Sequence, residues 1–120
     1  MTATFNETRN QFDDRFRQSI LIRENIDESK SDEEIARIRA ARERKISDLM
    51  QAERYASNPE DVPMMRNRMN AVKIGLPENT APEIIQETRA RLFRQSNAVL
   101  RGLDKNATQE EIDAAGPRVL

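Results

Sequence analysis

Apolar side chains recur at the spacing of an α-helix between residues 31 and 56. At about 100° per residue they fall within one arc, and no Gly or Pro interrupts the stretch before Pro59. Ser31 and Glu34 have the spacing of a capping box, and acidic residues in the first turn suit the positive end of the helix dipole. The pattern predicts a helix of about 25 residues. Its apolar face comprises Ile35, Ile38, Ile46, Leu49, Met50 and Ala56.

A second amphipathic stretch precedes this helix and carries three of the four Phe residues of the chain. Thr4 and Glu7 have capping-box spacing, which predicts a helix that begins there and runs to about Ile26. Leu21 is expected to point away from the apolar face. That face comprises Phe5, Phe12, Phe16, Ile20, Ile22 and Ile26.

The link between the two predicted helices, residues 27–30, is short and polar, which favours an antiparallel helical hairpin. We expect Phe12 to lie opposite Ile46 and Phe16 opposite Arg42. Cysteines at positions 12 and 46 should then cross-link, because a disulfide needs two close backbones. Arg42 has two interpretations: a long side chain over Phe16 with its head in water, or a buried polar group that sets the register or binds a partner carboxylate.

The third helix is predicted over residues 62–74, after a segment rich in Asn, Pro and Asp. Its apolar face comprises Met65, Met69 and Val72. Because methionine is a flexible filler, this face is either core or an adaptable binding surface. Gly75, followed by Leu and Pro, predicts a Schellman cap that ends the helix.

Two further helices are predicted from their caps. Thr80 and Glu83 have capping-box spacing and open a fourth helix, which runs to Arg101 and buries a Leu, Ile, Val and Phe face. Thr108 and Glu111 have the same spacing and open a short fifth helix. A Gly-Pro pair stops that helix just before the end of the chain.

These elements predict an all-α fold, in which a long antiparallel helical hairpin is followed by two or three shorter helices in a helical bundle. The hairpin should pair residues 5–26 with residues 32–56. We divide the chain into a hairpin at residues 1–57, shorter helices packed on or beyond it at residues 58–116, and a tail at residues 117–120.

An internal echo links the third and fourth helices. The pattern Asn-Ala-Val-x-x-Gly-Leu-x-x-Asn begins at Asn70 and recurs 27 residues later at Asn97. A duplicated helix-loop-helix unit would give this pattern, and so would two independent Schellman caps. Both interpretations stay open at the level of sequence.

The second copy of this pattern extends into a stretch that resembles part of a known protein family. From Gly102 to Ala115 the chain reads GLDKNATQEEIDAA, which resembles the junction between the first two helices of J-domain co-chaperones. Function in that family depends on a His-Pro-Asp motif, and this chain contains no His. The resemblance therefore implies a local helix-loop-helix conformation and no co-chaperone activity.

Composition removes several classes of chemistry. The chain has no Cys and no His, so it offers no disulfide, no thiolate or imidazole metal ligand and no histidine base. It also lacks a Gly-rich phosphate loop and a nucleophile elbow. We therefore predict no enzyme activity, no catalytic residue, no cofactor and no metal. Apolar runs too short to span a membrane and the absence of signal-peptide features favour a cytoplasmic protein, or a virion-associated one if the source is a phage.

Basic residues support one alternative function. Residues 37–45 contain five basic residues and one acidic residue, and residues 62–103 contain seven and three. Solvated helix faces give this pattern, and so does a nucleic-acid-binding regulator, although the net charge of −1 offers little general attraction to nucleic acid. The candidate contacts for nucleic acid are Arg37, Arg44, Arg66, Lys73, Arg94 and Arg101.

The preferred function is non-enzymatic protein interaction or assembly. A long amphipathic hairpin has a large lateral surface relative to its core, and two shorter helices need not cover it. We therefore expect a homo-oligomer, or a protein that docks on a larger complex as an adaptor, chaperone, virion accessory protein or inhibitor, of bacterial or phage type. The candidate partner-binding residues are Met65, Met69 and Arg42.

Overall fold

The computed structural model of the chain describes residues 2–115, and the side chains of residues 11–115. Within that range the chain forms five helices and no strand, which confirms the all-α helical fold. The predicted Gly-Pro stop and the tail at residues 117–120 lie outside the described residues. The helices are α1 (Thr2–Arg23), α2 (Asp32–Arg54), α3 (Asp61–Lys73), α4 (Pro82–Leu100) and α5 (Gln109–Ala114).

The main helix contacts join α1 to α4 and α2 to α3. In the part of the chain that the structure describes, α1 and α2 meet only near their connecting loop, where Leu21 packs with Ile35 and Arg17 bonds to Asp32. The predicted lengthwise pairing of residues 5–26 with residues 32–56, and its register, are therefore wrong. The physical reason lies in the buried side of α1. Leu21, expected to face outward, is 2% exposed, whereas Phe16 is 51% exposed.

Both principal helix pairs are antiparallel. Arg23 of α1 bonds to Ser96 of α4, and Arg15, two turns earlier in α1, lies beside Gly102, just past the end of α4. In the second pair, Arg66, near the start of α3, bonds to Glu53 near the end of α2, while Arg42, midway along α2, bonds to Lys73 at the end of α3. The helices α1 and α2 form one helix-loop-helix unit, and α3 and α4 form a second. The first helix of each unit therefore lies against the second helix of the other unit.

The core is aliphatic and divided into four small clusters. Among the described side chains, the buried hydrophobic residues are Ala, Leu, Ile, Val and Met, and none is aromatic. One cluster lies between α2 and α3, around Leu49 and Met69. The other three occupy the corners at which consecutive helices meet. Their buried members are Leu21, Ile26 and Ile35; Ala71, Ile74, Ile85 and Leu92; and Ala98, Ala107 and Ile112.

Three helix connections share one loop geometry. In each, the helix ends in a residue with positive φ: Asn25 (56°), Gly75 (72°) and Gly102 (79°). The following residue donates its backbone N–H to the carbonyl five positions earlier, at 2.9 Å in all three loops, as in a Schellman motif. The residue ten positions after the positive-φ residue is a buried Ile in every case, namely Ile35, Ile85 and Ile112.

The repeated sequence pattern thus corresponds to a shared loop structure. The pattern occurs twice in the sequence, whereas the loop structure occurs three times. The first copy does not match the sequence pattern, because Asn25 stands where the other two loops have Gly. Asn tolerates the left-handed conformation better than other residues with a side chain, so the loop is preserved. The constant spacing to a buried Ile is the sequence signal that identifies all three copies.

The helix starts are confirmed at two of the three described caps. Ser31 accepts a bond from the Glu34 amide at 3.2 Å, and Thr108 forms a reciprocal capping box with Glu111. The predicted cap at Thr80 is wrong. Its hydroxyl donates to the Pro77 carbonyl at 2.6 Å, and α4 begins at a proline, which needs no partner for a first-turn amide.

The molecule is elongated. Its principal extents are 63, 34 and 20 Å, and its radius of gyration is 17.8 Å. A compact domain of this length has a radius of gyration of about 14 Å. The four small clusters are therefore spread along a long body, which leaves a large surface relative to the buried volume.

Candidate functional site

Arg42, a candidate partner-binding residue, is half-buried at the junction of three helices. Its Nη1 donates to the carbonyl of Glu24, at the end of α1, and to the carbonyl of Lys73, at the end of α3. Its guanidinium lies next to Gly75. Burial lowers the pKa of Arg42, and the nearby charge of Glu24 opposes that shift. The interpretation that places Arg42 over Phe16 is therefore wrong.

The same junction is closed by two further contacts. Arg39 donates two hydrogen bonds to the carboxylate of Glu24, at 2.8 and 3.1 Å, and this contact raises the pKa of Arg39. The Asn25 amide donates to the Ile74 carbonyl at 3.0 Å. The ends of α1 and α3 are thus joined by side chains that satisfy their terminal carbonyls.

The two methionines proposed to bind a partner lie on the inner side of α3. Met69 is buried, and Met65 is half-buried against the same cluster, which contains Leu49 and Val72. Met64, one residue earlier in the sequence, is exposed instead. The observed packing is that of core methionines.

The basic residues proposed for nucleic acid do not converge. Arg37 and Arg66 form ion pairs, with Glu33 at 3.6 Å and Glu53 at 3.0 Å. Lys73 lines a groove that also contains the carboxylates of Glu24 and Glu43. The remaining candidates lie on other elements: Arg44 is on α2, Arg94 on α4 and Arg101 just after α4.

A groove lies between two of the repeated loops. It has a volume of about 510 Å³ and a floor that includes Ile22, Ile26 and Leu92. Its rim carries both signs of charge, with Asp27 and Glu28 beside Lys30 and Lys105. The charges compensate one another, so the groove has no strong electrostatic preference.

All the aromatic side chains that the structure describes are at the surface. Phe16, Tyr55 and Phe93 are 51%, 79% and 55% exposed, and Phe12 is half-buried. Phe12 and Phe16 are stacked on one side of α1, with ring centroids 6.4 Å apart. Aromatic residues usually supply the largest buried areas of a core or an interface. The described core contains no aromatic residue, so any contact area that the aromatic side chains supply lies at the surface.

Phe93 has a specific cationic neighbour. The Arg23 Cζ atom lies 5.2 Å from the centroid of the Phe93 ring, within cation–π range. Arg23 is held there by a 2.8 Å hydrogen bond from its Nε to the hydroxyl of Ser96. Sequence patterns placed Phe93 on the inner face of its helix and gave Arg23 no role. The two residues meet only because α1 pairs with α4, which no local pattern encodes.

Among the described side chains, those of residues 11–115, no group of three or more acidic residues is arranged to hold a metal ion. Within residues 2–115 no helix combines the length and apolar character needed to cross a bilayer.

Comparison with known proteins gives no relative on which to base a function: no family model, no curated protein and no solved structure matches the chain.

Proposed function

We propose that this chain is a non-enzymatic helical assembly protein that associates with copies of itself through the aromatic side of α1. The observation that carries the proposal is the location of the aromatic residues. The described core contains none, whereas Phe16 is half exposed and stacked on Phe12. Exposed aromatic groups are costly in water and are enriched at protein interfaces. The chain has neither His nor Cys, which supports a role without catalysis.

Two features support a second copy as the partner. The helix-loop-helix units within one chain already pair reciprocally, α1 with α4 and α2 with α3, so the architecture is compatible with pairing of like units. The elongated body also leaves a long lateral surface relative to its core. A dimer would cover part of that surface and bury the Phe pair in an apolar environment.

Light scattering coupled to size exclusion tests the proposal at two protein concentrations. We expect a mass above that of the 13.9 kDa monomer, rising with concentration, for the unaltered chain. Phe16→Gln should return the mass to that of the monomer without loss of helix content, because the side chain does not belong to the core. Ile84→Gln is the matched control, since Ile84 is exposed to a similar extent on α4.

A monomer at both concentrations would contradict the proposal. The same holds for an oligomer that Phe16→Gln and Ile84→Gln weaken equally, because the aromatic side of α1 would then have no special part.

We place the assembly in the cytoplasm or on a virion, and fractionation of the source with an antibody to the chain tests that location.

A further inference from the structure

Phe93 lies in a shallow depression whose charged groups come from two helices. The depression has a volume of about 180 Å³ and is lined by Arg23, Arg89, Leu92 and Phe93. Leu92 is buried and forms an apolar floor, whereas the Phe93 ring keeps more than half of its surface accessible. Arg89 lies one helical turn before Phe93 on α4, so its side chain is on the same side of that helix.

Among the described side chains, no carboxylate forms an ion pair with either arginine of the depression. Six other cations of the described chain form ion pairs with carboxylates, and neither Arg23 nor Arg89 is among them. Arg23 uses its Nε to bond to Ser96, which fixes the guanidinium over the ring and leaves both terminal nitrogens without a carboxylate. The site therefore presents unneutralised guanidinium groups beside an exposed aromatic ring.

The surrounding sequence reinforces this charge. Residues 88–103 contain four arginines and no acidic residue. Arg91 and Arg94 of α4 are also exposed, but at about 100° per residue they lie on other sides of the helix than Arg89 and Phe93. An anion that approaches Phe93 thus meets the two arginines of the depression within a locally basic stretch, in a chain whose net charge is close to zero.

We propose that Phe93, Arg23 and Arg89 form a contact site for single-stranded nucleic acid. An unpaired base stacks on the phenyl ring or on the plane of the Arg23 guanidinium, and the flanking phosphates bind the two arginines. An acidic peptide would satisfy the arginines but would leave the exposed ring without a function. The site is separate from the Phe12 and Phe16 surface, so this proposal does not depend on self-association.

Fluorescence anisotropy with a labelled oligothymidine tests the site. The unaltered chain should bind the single strand more tightly than a duplex of equal length, and binding should weaken steeply between about 50 and 200 mM salt. Phe93→Leu keeps an apolar side chain and removes the ring, so it should weaken binding about tenfold. Arg89→Gln should weaken binding and reduce the salt dependence. Arg44→Gln, an exposed arginine of α2, is the matched control and should leave binding nearly unchanged.

Several outcomes would overturn the proposal. These are no binding at the lowest salt, equal affinity for the duplex, or equal effects of Arg89→Gln and Arg44→Gln. Binding that Phe93→Leu leaves intact would show a purely electrostatic contact and would also reject the stacking site. A poly-glutamate peptide that binds where the oligonucleotide does not would assign the arginines to protein recognition instead. Circular dichroism of each variant ensures that a loss of binding is not a loss of fold.

Discussion

At the scale of single residues, Arg42 shows how one long cation can organise a junction. Its guanidinium donates to the last carbonyls of α1 and of α3, which have no partner within their own helices. A positive charge at two helix C-termini also interacts favourably with both helix dipoles. Burial lowers the pKa of Arg42, but the guanidinium group stays protonated throughout the physiological pH range.

Arg42→Met should therefore destabilise the fold. The side chain keeps a similar length but loses its donors, and two carbonyls at the junction lose a charged partner. We expect the free energy of unfolding to fall by about 1.5–3 kcal/mol. Arg44→Met, at an exposed position in the same helix, should change it by less than about 0.5 kcal/mol. Urea denaturation followed by circular dichroism compares the two, and equal effects would show that the Arg42 bonds contribute nothing specific.

The ionisation of Asp27 makes the stability of the fold depend on pH in a defined direction. The backbone N–H and the hydroxyl of Ser29 donate to its carboxylate at 2.9 and 2.8 Å, and these bonds, with the charges of Lys30 and Lys105, lower its pKa from the ordinary value of 3.8. A carboxyl with a lower pKa in the folded state stabilises the fold above 3.8, and this contribution is lost as the pH falls through the folded pKa.

We accordingly expect Asp27→Asn to be less stable than the unaltered chain at pH 7, and the difference to shrink as the pH falls below 3.8. Denaturant unfolding of both proteins across this range measures it. A difference in the free energy of unfolding that stays constant with pH would mean that ionisation of Asp27 is not linked to folding.

At the scale of elements, the repeated loop determines how the helices meet. Each copy turns the chain through a left-handed residue and places an apolar residue and a later Ile against the helix that has just ended. Each corner thus contributes to its own small cluster. This accounts for a core that is divided into separate parts along the body.

The left-handed position predicts a ranking of substitutions. Gly75→Ala and Gly102→Ala should each cost about 1–2 kcal/mol, because a β-carbon is strained at positive φ. The added atom would also displace the Arg42 or Arg15 guanidinium that lies over the loop. Asn25→Gly should change the free energy of unfolding by less than about 1 kcal/mol, because backbone relief offsets the lost bond to Ile74. Thermal or urea unfolding of the three variants checks this order, and a harmless Gly102→Ala would contradict it.

The sequence could predict these local features but not the helix partners. Ser31, Thr108 and the glycine caps are determined by residues within a few positions, and their predictions were confirmed. The predicted buried face of α1 was wrong because apolar residues lie on both sides of this helix. The bulk of the Phe side chains favoured their side as the buried one, although Leu21 is the residue that is buried. The Arg23–Ser96 contact spans 73 positions, so neither partner carries a local signal of the other.

At the scale of the whole molecule, the chain buries small aliphatic groups and exposes its aromatic ones. Small residues such as Ala71, Ser96 and Ala98, each fully buried, let helices approach closely without a large core. The stabilisation from burial is correspondingly modest, since it scales with the apolar area removed from water. An elongated protein of this kind gains more from covering its surface than a compact one does, which is the physical motive for the proposed assembly.

The reciprocal pairing of the helices can be tested in solution, because the chain has no Cys of its own. Glu53 and Arg66 form an ion pair between α2 and α3, so cysteines at these positions should be joined efficiently by a short bismaleimide linker. Cysteines that replace Phe12 and Ile46 should not be joined within one chain, because in the described structure α1 lies along α4 and α2 along α3, and α1 meets α2 only near their connecting loop. Dilute samples and separation by mass exclude links between two chains. Efficient joining of positions 12 and 46 would restore the simple hairpin and would remove the pairing of α1 with α4 on which the Arg23 and Phe93 site depends.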